Sequence, residues 1–384
     1  MKITVYTYSV SRYAGGLLGS MNGLYMDPVF RNTDIGIYAY KDAGIPVDLN
    51  KWVDLPVYIY SRHNIFGYSK QVREAVLGSQ GNILHVHGLW RYPHAFIHTW
   101  RKKTGKPSVV SPHGMLAPYI IKRQGYIKQL IGKLLFADKS FHTVTCYHAL
   151  CMKELEDIRA YGLTAPIAII PNAIHLPILP VNSMQIDEKK HLLYLGRLHH
   201  KKGIDILITA IALINLEYPE LLKEWIVDIV GWGSDRYLKK LRLIVEKYQL
   251  QEIIIFHGGL FDEEKRQIYS RADAYILASR GEGLPMTVLE AWSYSLPVIM
   301  TPYCNIPEGF ETKSAIQVDN TVTSVKEGIL QLFNMSDEAR ITMGKNGRRL
   351  VEEQFTWEVS AQKMLRLYDW LLNGGEKPEF VYFD

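Results

Sequence analysis

Apolar positions along the chain recur in two registers. Short runs rich in β-branched and aromatic residues alternate with longer stretches whose apolar residues return every three or four positions, as in parallel sheets built from strand–helix–strand units. In the first half the pattern predicts strands at Ile3–Tyr8, Asp34–Tyr40, Ile83–His87, Ser108–Ser111, Thr143–Cys146 and Ala168–Ile170. In the second half it predicts strands at Leu192–Leu195, Trp225–Val230, Ile253–Phe256, Ala274–Leu277 and Pro297–Met300. Each half therefore reads as a doubly wound α/β domain. Between them, Pro171, Pro177 and Pro180 fall within ten residues and forbid a regular helix or a central strand, which marks a linker. The last periodic stretch, Trp357 to Leu372, predicts a helix that buries the face bearing Val359, Met364, Leu367 and Leu371.

Composition narrows the class. A length of 384 residues suggests two or three domains at about 150 residues each. With 47% apolar and 22% charged residues, the chain reads as soluble and folded, which excludes a disordered or fibrous protein. Cys146, Cys151 and Cys304 are odd in number and lack metal-ligand spacing, so a reducing compartment such as the cytosol is expected. The N-terminal residues Met1–Tyr8 alternate like a strand rather than forming a signal core. No run reaches the ~18 apolar residues of a membrane span. Taken globally, the net charge of +5 gives no strong indication of a nucleic-acid or membrane partner. It is unevenly distributed, however: residues 1–175 hold 20 basic and 10 acidic side chains and the rest 24 and 29, so the halves carry +10 and −5. An anionic partner is expected for the first half.

Candidate chemistry gathers after predicted strands. Glu282 follows the strand Ala274–Leu277 and Glu290 lies in the helix opened by Leu284-Pro285-Met286-Thr287. Free N–H groups at that helix start suit an anion, and ionised carboxylates suit sugar or ribose hydroxyls. The plainer alternative makes Glu282 a helix-start acid and Glu290 a solvated one. A second segment, Gly196-Arg197-Leu198-His199-His200-Lys201-Lys202-Gly203, offers fixed cations; Arg197 and Lys202 suit a diphosphate held without metal. No Asp-x-Asp motif is present for a metal-bridged diphosphate. Gly15-Gly16 after the first strand permits close backbone approach to a ligand, and His113 places an imidazole at a strand's carboxyl end. His85, His87, His94 and His98 have spacings that invite a metal, but no matching carboxylate or thiolate accompanies them, so no metal site is expected. Gly231-Trp232-Gly233 lacks the third glycine of a dinucleotide fingerprint, having Arg236 instead.

Taken together these motifs resemble the retaining glycosyltransferases of family four. The strongest elements are Glu282 and Glu290 with seven residues between them and the segment from Gly196-Arg197 to Lys202-Gly203. Gly15-Gly16, His113-Gly114, Pro171-Asn172 and Phe355-Thr356-Trp357 support it. The resemblance implies the GT-B fold, two Rossmann-like doubly wound domains facing each other across a cleft. Residues 1–175 would bind the acceptor and 176–355 the nucleotide-sugar donor, with 356–384 crossing back to the first domain. It implies that Arg197 and Lys202 bind the donor diphosphate and stabilise the leaving group, that Glu282 contacts the donor sugar, and that Glu290 contacts the ribose. Leu284, Pro285, Met286 and Thr287 would face the sugar and phosphates through their backbone. Gly258, Leu260 and Lys265 would lie near the base, Gly16 would approach the diphosphate from the other domain, and His113 would sit beside the transferred sugar. The catalytic set expected is thus Glu282, His113, Arg197 and Lys202.

The implied reaction moves a hexosyl unit from a nucleotide diphosphate sugar, UDP ahead of GDP, to an acceptor hydroxyl, with no metal or other cofactor. The implied setting is bacterial exopolysaccharide or lipid-linked glycan assembly, in the cytoplasm or at the inner face of the plasma membrane. The stretch Tyr119–Leu135, with Lys122, Arg123, Lys128 and Lys133, is the candidate contact with an anionic membrane surface; an ordinary covering helix is the alternative. Ala173 stands where the family usually has glycine, and His199-His200 are uncommon at their place. A two-domain nucleotide-sugar epimerase and a non-enzymatic carbohydrate-binding protein are the competing readings.

Overall fold

Strands covered by helices on both faces must be apolar on both faces, and the burial here follows that rule: in Lys2–Thr7 every residue after Lys2 is buried, as is all of Ile83–His87. The computed structural model describes residues 1–61, 69–89, 95–123, 138–178 and 188–383. In chain order the strands are β1 (Lys2–Thr7), β2 (Asp34–Tyr40), β3 (Val57–Tyr60), β4 (Ile83–His87), β5 (Ser108–Ser111), β6 (Cys146–Ala149) and β7 (Ile167–Ile169). They continue as β8 (Lys190–Leu195), β9 (Trp225–Val230), β10 (Ile254–Gly258), β11 (Ala274–Leu277), β12 (Val298–Met300), β13 (Ala315–Gln317) and β14 (Val381–Tyr382).

The residues divide into two units, Met1–Ala173 with Trp357–Asp384, and Ile174–Thr356. The first holds an eight-stranded sheet in the order β14-β7-β6-β5-β4-β1-β2-β3 and the second a six-stranded sheet in the order β10-β9-β8-β11-β12-β13. Both are Rossmann-like α/β sheets in which the order reverses once, between β1 and β4 and between β8 and β11. Open α/β sheets bind ligands beyond the strand carboxyl ends at that reversal. All pairings are parallel except β14 with β7, an antiparallel edge that the strand–helix alternation did not predict.

Strand Thr143–Cys146 is corrected to Cys146–Ala149. Thr143 and Val144 donate backbone bonds to Ser140 and Phe141 and close a turn; the polar residue His148 hides the strand that follows. The edge strands β3 and β13 were also not predicted. The helix Trp357–Asn373 buries Trp357, Ala361, Met364, Leu367 and Tyr368 in the core of the first unit, with Met21, Leu24 and Phe30. Trp357–Asp384 brings three basic and five acidic residues with it, so the units carry +8 and −3 rather than +10 and −5. All three cysteines are buried and free. Among the described residues no helix is long and apolar enough to cross a membrane. Of the stretch Tyr119–Leu135, a helix Pro118–Arg123 is described; residues 124–135, with Lys128 and Lys133, lie outside the described residues.

Candidate functional site

In the second unit the two loops singled out by their motifs meet at the β8/β11 reversal. Gly203, after β8, has φ +68, and a Cβ there would stand 1.9 Å from the Ala278 carbonyl oxygen. Only glycine satisfies both the left-handed backbone and this approach. The contact carries the Gly196–Gly203 segment onto the end of β11, where the Lys201 carbonyl accepts from the Arg280 N–H (2.7 Å) and lies 2.9 Å from Ser279 Oγ. Arg280 also forks onto Asp205, whose carboxyl is raised by burial but held below its ordinary range overall by the Arg280 bonds.

The loop Ser279–Pro285 then places Glu282. Its backbone N–H donates to the Tyr303 carbonyl (3.0 Å), its own carbonyl accepts from Asn305 Nδ2 (2.7 Å), and Ser279 Oγ donates to its Oε1 (2.6 Å). Lys202 Nζ lies 2.7 Å from Glu282 Oε1 and 2.8 Å from Oε2. A second pair repeats this theme on the helix Met286–Ser293: Lys265 Nζ donates to Glu290 Oε1 (2.6 Å), and Tyr269 donates to Oε2 (2.9 Å). Glu290 is therefore not the solvated residue of the plainer reading, nor is Glu282 a simple helix-start acid. Pro285 precedes that helix without a side-chain cap and its carbonyl takes the Val288 N–H, so the N–H groups of Met286 and Thr287 remain as donors. Thr287 Oγ1 accepts from Tyr275 (2.7 Å).

Arg197 is exposed, and among the described residues its guanidinium pairs with no carboxylate. Gly258 (φ +75) ends β10, followed by half-buried Leu260. Deeper in the same sheet, buried Asp228 on β9 accepts from His191 (2.6 Å), His257 (2.5 Å) and Arg271 (3.3 Å). Burial raises its carboxyl, but these donors outweigh that and hold it well below the usual carboxylate range. The sequence reading missed this cluster, as it missed Ser279, Arg280, Tyr269 and Asn305.

In the first unit Gly16 begins the helix Gly16–Tyr25 after Gly15, whose φ is +61; a Cβ on either would meet nothing within 4 Å. His113 follows β5 with φ +52, and Gly114 with φ +74. The Gly114 and Leu150 N–H groups both donate to buried Glu154, which anchors the turn. Burial nonetheless pushes the Glu154 carboxyl up to about 7. His113 Nε2 lies 3.0 Å from His87 Nδ1. His85 and His87 share one face of β4 with rings 4.1 Å apart, as the alternation requires, and their nitrogens meet Tyr25, Tyr368, Ser111 and His113. His94 lies outside the described residues. Among the described residues no group of three or more His, Cys, Asp or Glu is arranged to hold a metal. Burial lowers all four clustered imidazoles, His113 to about 3 and His148 to about 4.

Two Rossmann-like units, each built on a largely parallel sheet, are the architecture of the GT-B class. The family description "Glycosyltransferase Family 4" matches residues 36–176 and "Glycosyl transferases group 1" matches residues 181–350. The chain belongs to this glycosyltransferase family. It is 29% identical over 191 residues to an uncharacterized glycosyltransferase of Methanocaldococcus jannaschii, covering 48% of this chain and 46% of that protein. It is also 29% identical over 189 residues to a GDP-mannose-dependent alpha-(1-6)-phosphatidylinositol monomannoside mannosyltransferase of Mycobacterium tuberculosis, covering 47% of each. The matches thus span about half the length of these relatives. Among solved structures, Anabaena Alr3699/HepE in complex with UDP shares the fold with a TM-score of 0.75 at 15% identity, covering 96% of this chain and 99% of that one.

Proposed function

We propose that the protein is a retaining, metal-independent glycosyltransferase that moves a hexosyl unit from a nucleotide diphosphate sugar to an acceptor hydroxyl. The observation that carries this reading is the Lys202–Glu282 pair at the β8/β11 reversal, beside exposed Arg197. Each partner is in place to exchange the other for a piece of donor. Lys202 turns to the diphosphate and leaves Glu282 free to accept hydroxyls of the sugar; Lys265 and Glu290 do the same toward the base and the ribose. Backbone groups of Leu284, Pro285, Met286 and Thr287 take the sugar and phosphates, Gly258 and Leu260 flank the base, Gly16 approaches the diphosphate, and His113 lies beside the transferred sugar.

As the bond between the anomeric carbon and the phosphate oxygen breaks, the acceptor oxygen bonds the same face of that carbon. A donor phosphate oxygen takes the acceptor proton, and the nucleoside diphosphate leaves with its charge met by Arg197 and Lys202. Preorganised cations at the leaving group do the work of a metal. UDP-sugars are favoured over GDP-sugars, with support from the UDP complex of Anabaena HepE; the GDP-mannose-dependent relative keeps GDP in the test. The setting is bacterial exopolysaccharide or lipid-linked glycan assembly in the cytoplasm. The first unit's charge of +8 favours peripheral contact with an anionic membrane face.

A thermal-shift screen of UDP- and GDP-hexoses, followed by nucleotide release with and without glycan acceptors in EDTA, tests this reading. A stabilising donor with acceptor-dependent release in EDTA is expected. Loss of release in EDTA with rescue by magnesium would refute metal independence, and an epimerised sugar nucleotide formed without acceptor would refute transfer.

A further inference from the structure

The histidine and tyrosine cluster beneath His113 is a continuous hydrogen-bonded chain, and its proton positions follow from one fixed end. His148 Nε2 lies 2.7 Å from the Ile170 carbonyl, which can only accept, so this nitrogen carries the proton. In the neutral ring Nδ1 is then an acceptor, and Ser111 Oγ, 2.6 Å away, must donate to it. With its one hydrogen spent, Ser111 accepts from His85 Nε2 at 2.7 Å, which makes His85 Nδ1 an acceptor with a single lone pair. Two hydroxyls compete for that lone pair: Tyr368 at 2.5 Å, from the helix Trp357–Asn373, and Tyr25 at 2.9 Å, from the helix Gly16–Tyr25.

If Tyr368 takes it, Tyr25 is free to donate to His87 Nε2 at 2.7 Å, and His87 Nδ1–H then donates to His113 Nε2 at 3.0 Å. Every bond in that arrangement is short and every lone pair is used once. The opposite arrangement gives the proton to His113 Nε2. It then requires the Tyr25 hydrogen either to share the His85 lone pair with Tyr368 or to reach Tyr368 across 3.4 Å.

We infer that the fold fixes His113 as the tautomer with its proton on Nδ1, so that His113 meets its ligand as a hydrogen-bond donor, and that Tyr25 and Tyr368 are positioning residues acting through His87. Around His113 the rings of His87 and His148 lie at 5.3 and 6.4 Å, and the Glu154 carboxylate is engaged by the Gly114 N–H of the same turn. The burial that depresses all four imidazoles keeps the chain neutral near pH 7. The tautomer does not depend on the proposed reaction; its use in turnover rests on that reading.

The test is a two-bond ¹H–¹⁵N spectrum of the full chain with ¹⁵N-labelled histidine at pH 7.5, His113 being assigned by its loss in His113→Asn. The wild type is expected to show His113 protonated on Nδ1 alone. Tyr368→Phe keeps the ring but removes the favoured donor, which releases Tyr25 to His85 and moves the His113 proton toward Nε2. If transfer is observed, kcat for Tyr368→Phe should fall about tenfold with KM nearly unchanged, the size of one hydrogen bond. A wild-type His113 protonated on Nε2 or on both nitrogens would overturn the inference whether or not the variant folds. An unchanged His113 pattern in Tyr368→Phe would overturn the relay. An inverted pattern with unchanged kcat would overturn its use in turnover. Absence of transfer with any donor would count against the proposed function while leaving the spectrum to decide the tautomer.

Discussion

The two units place polar side chains near the strand reversals of their sheets in opposite ways. In the first, four imidazoles, two phenols and a serine form a chain with no formal charge, buried along its length and ending at half-buried His113. In the second, Lys202–Glu282, Lys265–Glu290 and Arg280–Asp205 are ion pairs between partly exposed groups. A neutral buried chain sets geometry, because each donor has one acceptor and an unmade bond is costly. Partly exposed ion pairs are worth little to folding and open readily to a charged ligand. The first unit thus reads as a rigid support for His113, and the second as a site whose charges are already gathered for an anion bearing hydroxyls.

Four experiments probe that contrast. The largest effect is expected from Glu282→Ala, which removes the carboxylate proposed to meet the sugar and leaves Lys202 without its partner. Turnover should fall roughly 100-fold or more, while the melting temperature stays within a few degrees; a large loss of stability instead would mean that the pair is structural. Next, Asp228→Asn removes the buried charge shared by His191, His257 and Arg271 and turns one of its two acceptor oxygens into a donor, and should cost about 3 kcal/mol in denaturant unfolding.

The third effect is acid sensitivity. A histidine whose folded pKa lies below its unfolded value near 6.5 contributes stability above that value and loses it as pH falls toward the folded value. The first unit should therefore weaken progressively below about pH 6.5, whereas Asp228, with its depressed carboxyl, holds the second until below about pH 4. Hydrogen exchange at pH 7 and 5 should show β4, β5 and β6 losing protection first, and equal loss in β8, β9 and β11 would contradict this. Glu154 opposes the trend in the first unit, as one group against four: its raised pKa gives stability that is full below about pH 4.3 and declines as pH rises toward 7. The smallest effect follows from this: Glu154→Gln should change stability by about 1 kcal/mol and flatten that decline.

Much of this was legible in the sequence, and the parts that were not have physical reasons. Asp34–Tyr40, Ile83–His87, Ser108–Ser111, Trp225–Val230 and Ala274–Leu277 are short runs dominated by apolar residues, and the strands have those bounds. Cys146–Ala149 was displaced because His148 looks polar although its ring is wholly engaged by Ser111 and Ile170. The two-residue strand β14 has no periodicity to detect. The motif loops around Gly203 and Glu282 were visible because glycine and acid recur at fixed offsets, but their meeting through Lys201, Ser279 and Arg280 depends on contacts across more than 70 residues. The imidazole chain was half visible: alternation put His85 and His87 on one face, but nothing local indicated that Tyr25 and Tyr368, 343 residues apart, would join them.

In the proposed reaction Lys202 leaves Glu282 to meet the departing diphosphate. The most direct measurement is the rate of nucleoside diphosphate release by wild type and Lys202→Ala from a donor found by thermal shift, in EDTA and with acceptor present. Acceptor-dependent release by the wild type is expected, with a loss of roughly 100- to 1000-fold in the variant and its melting temperature nearly unchanged. A folded Lys202→Ala protein that releases nucleotide within threefold of the wild type would contradict it.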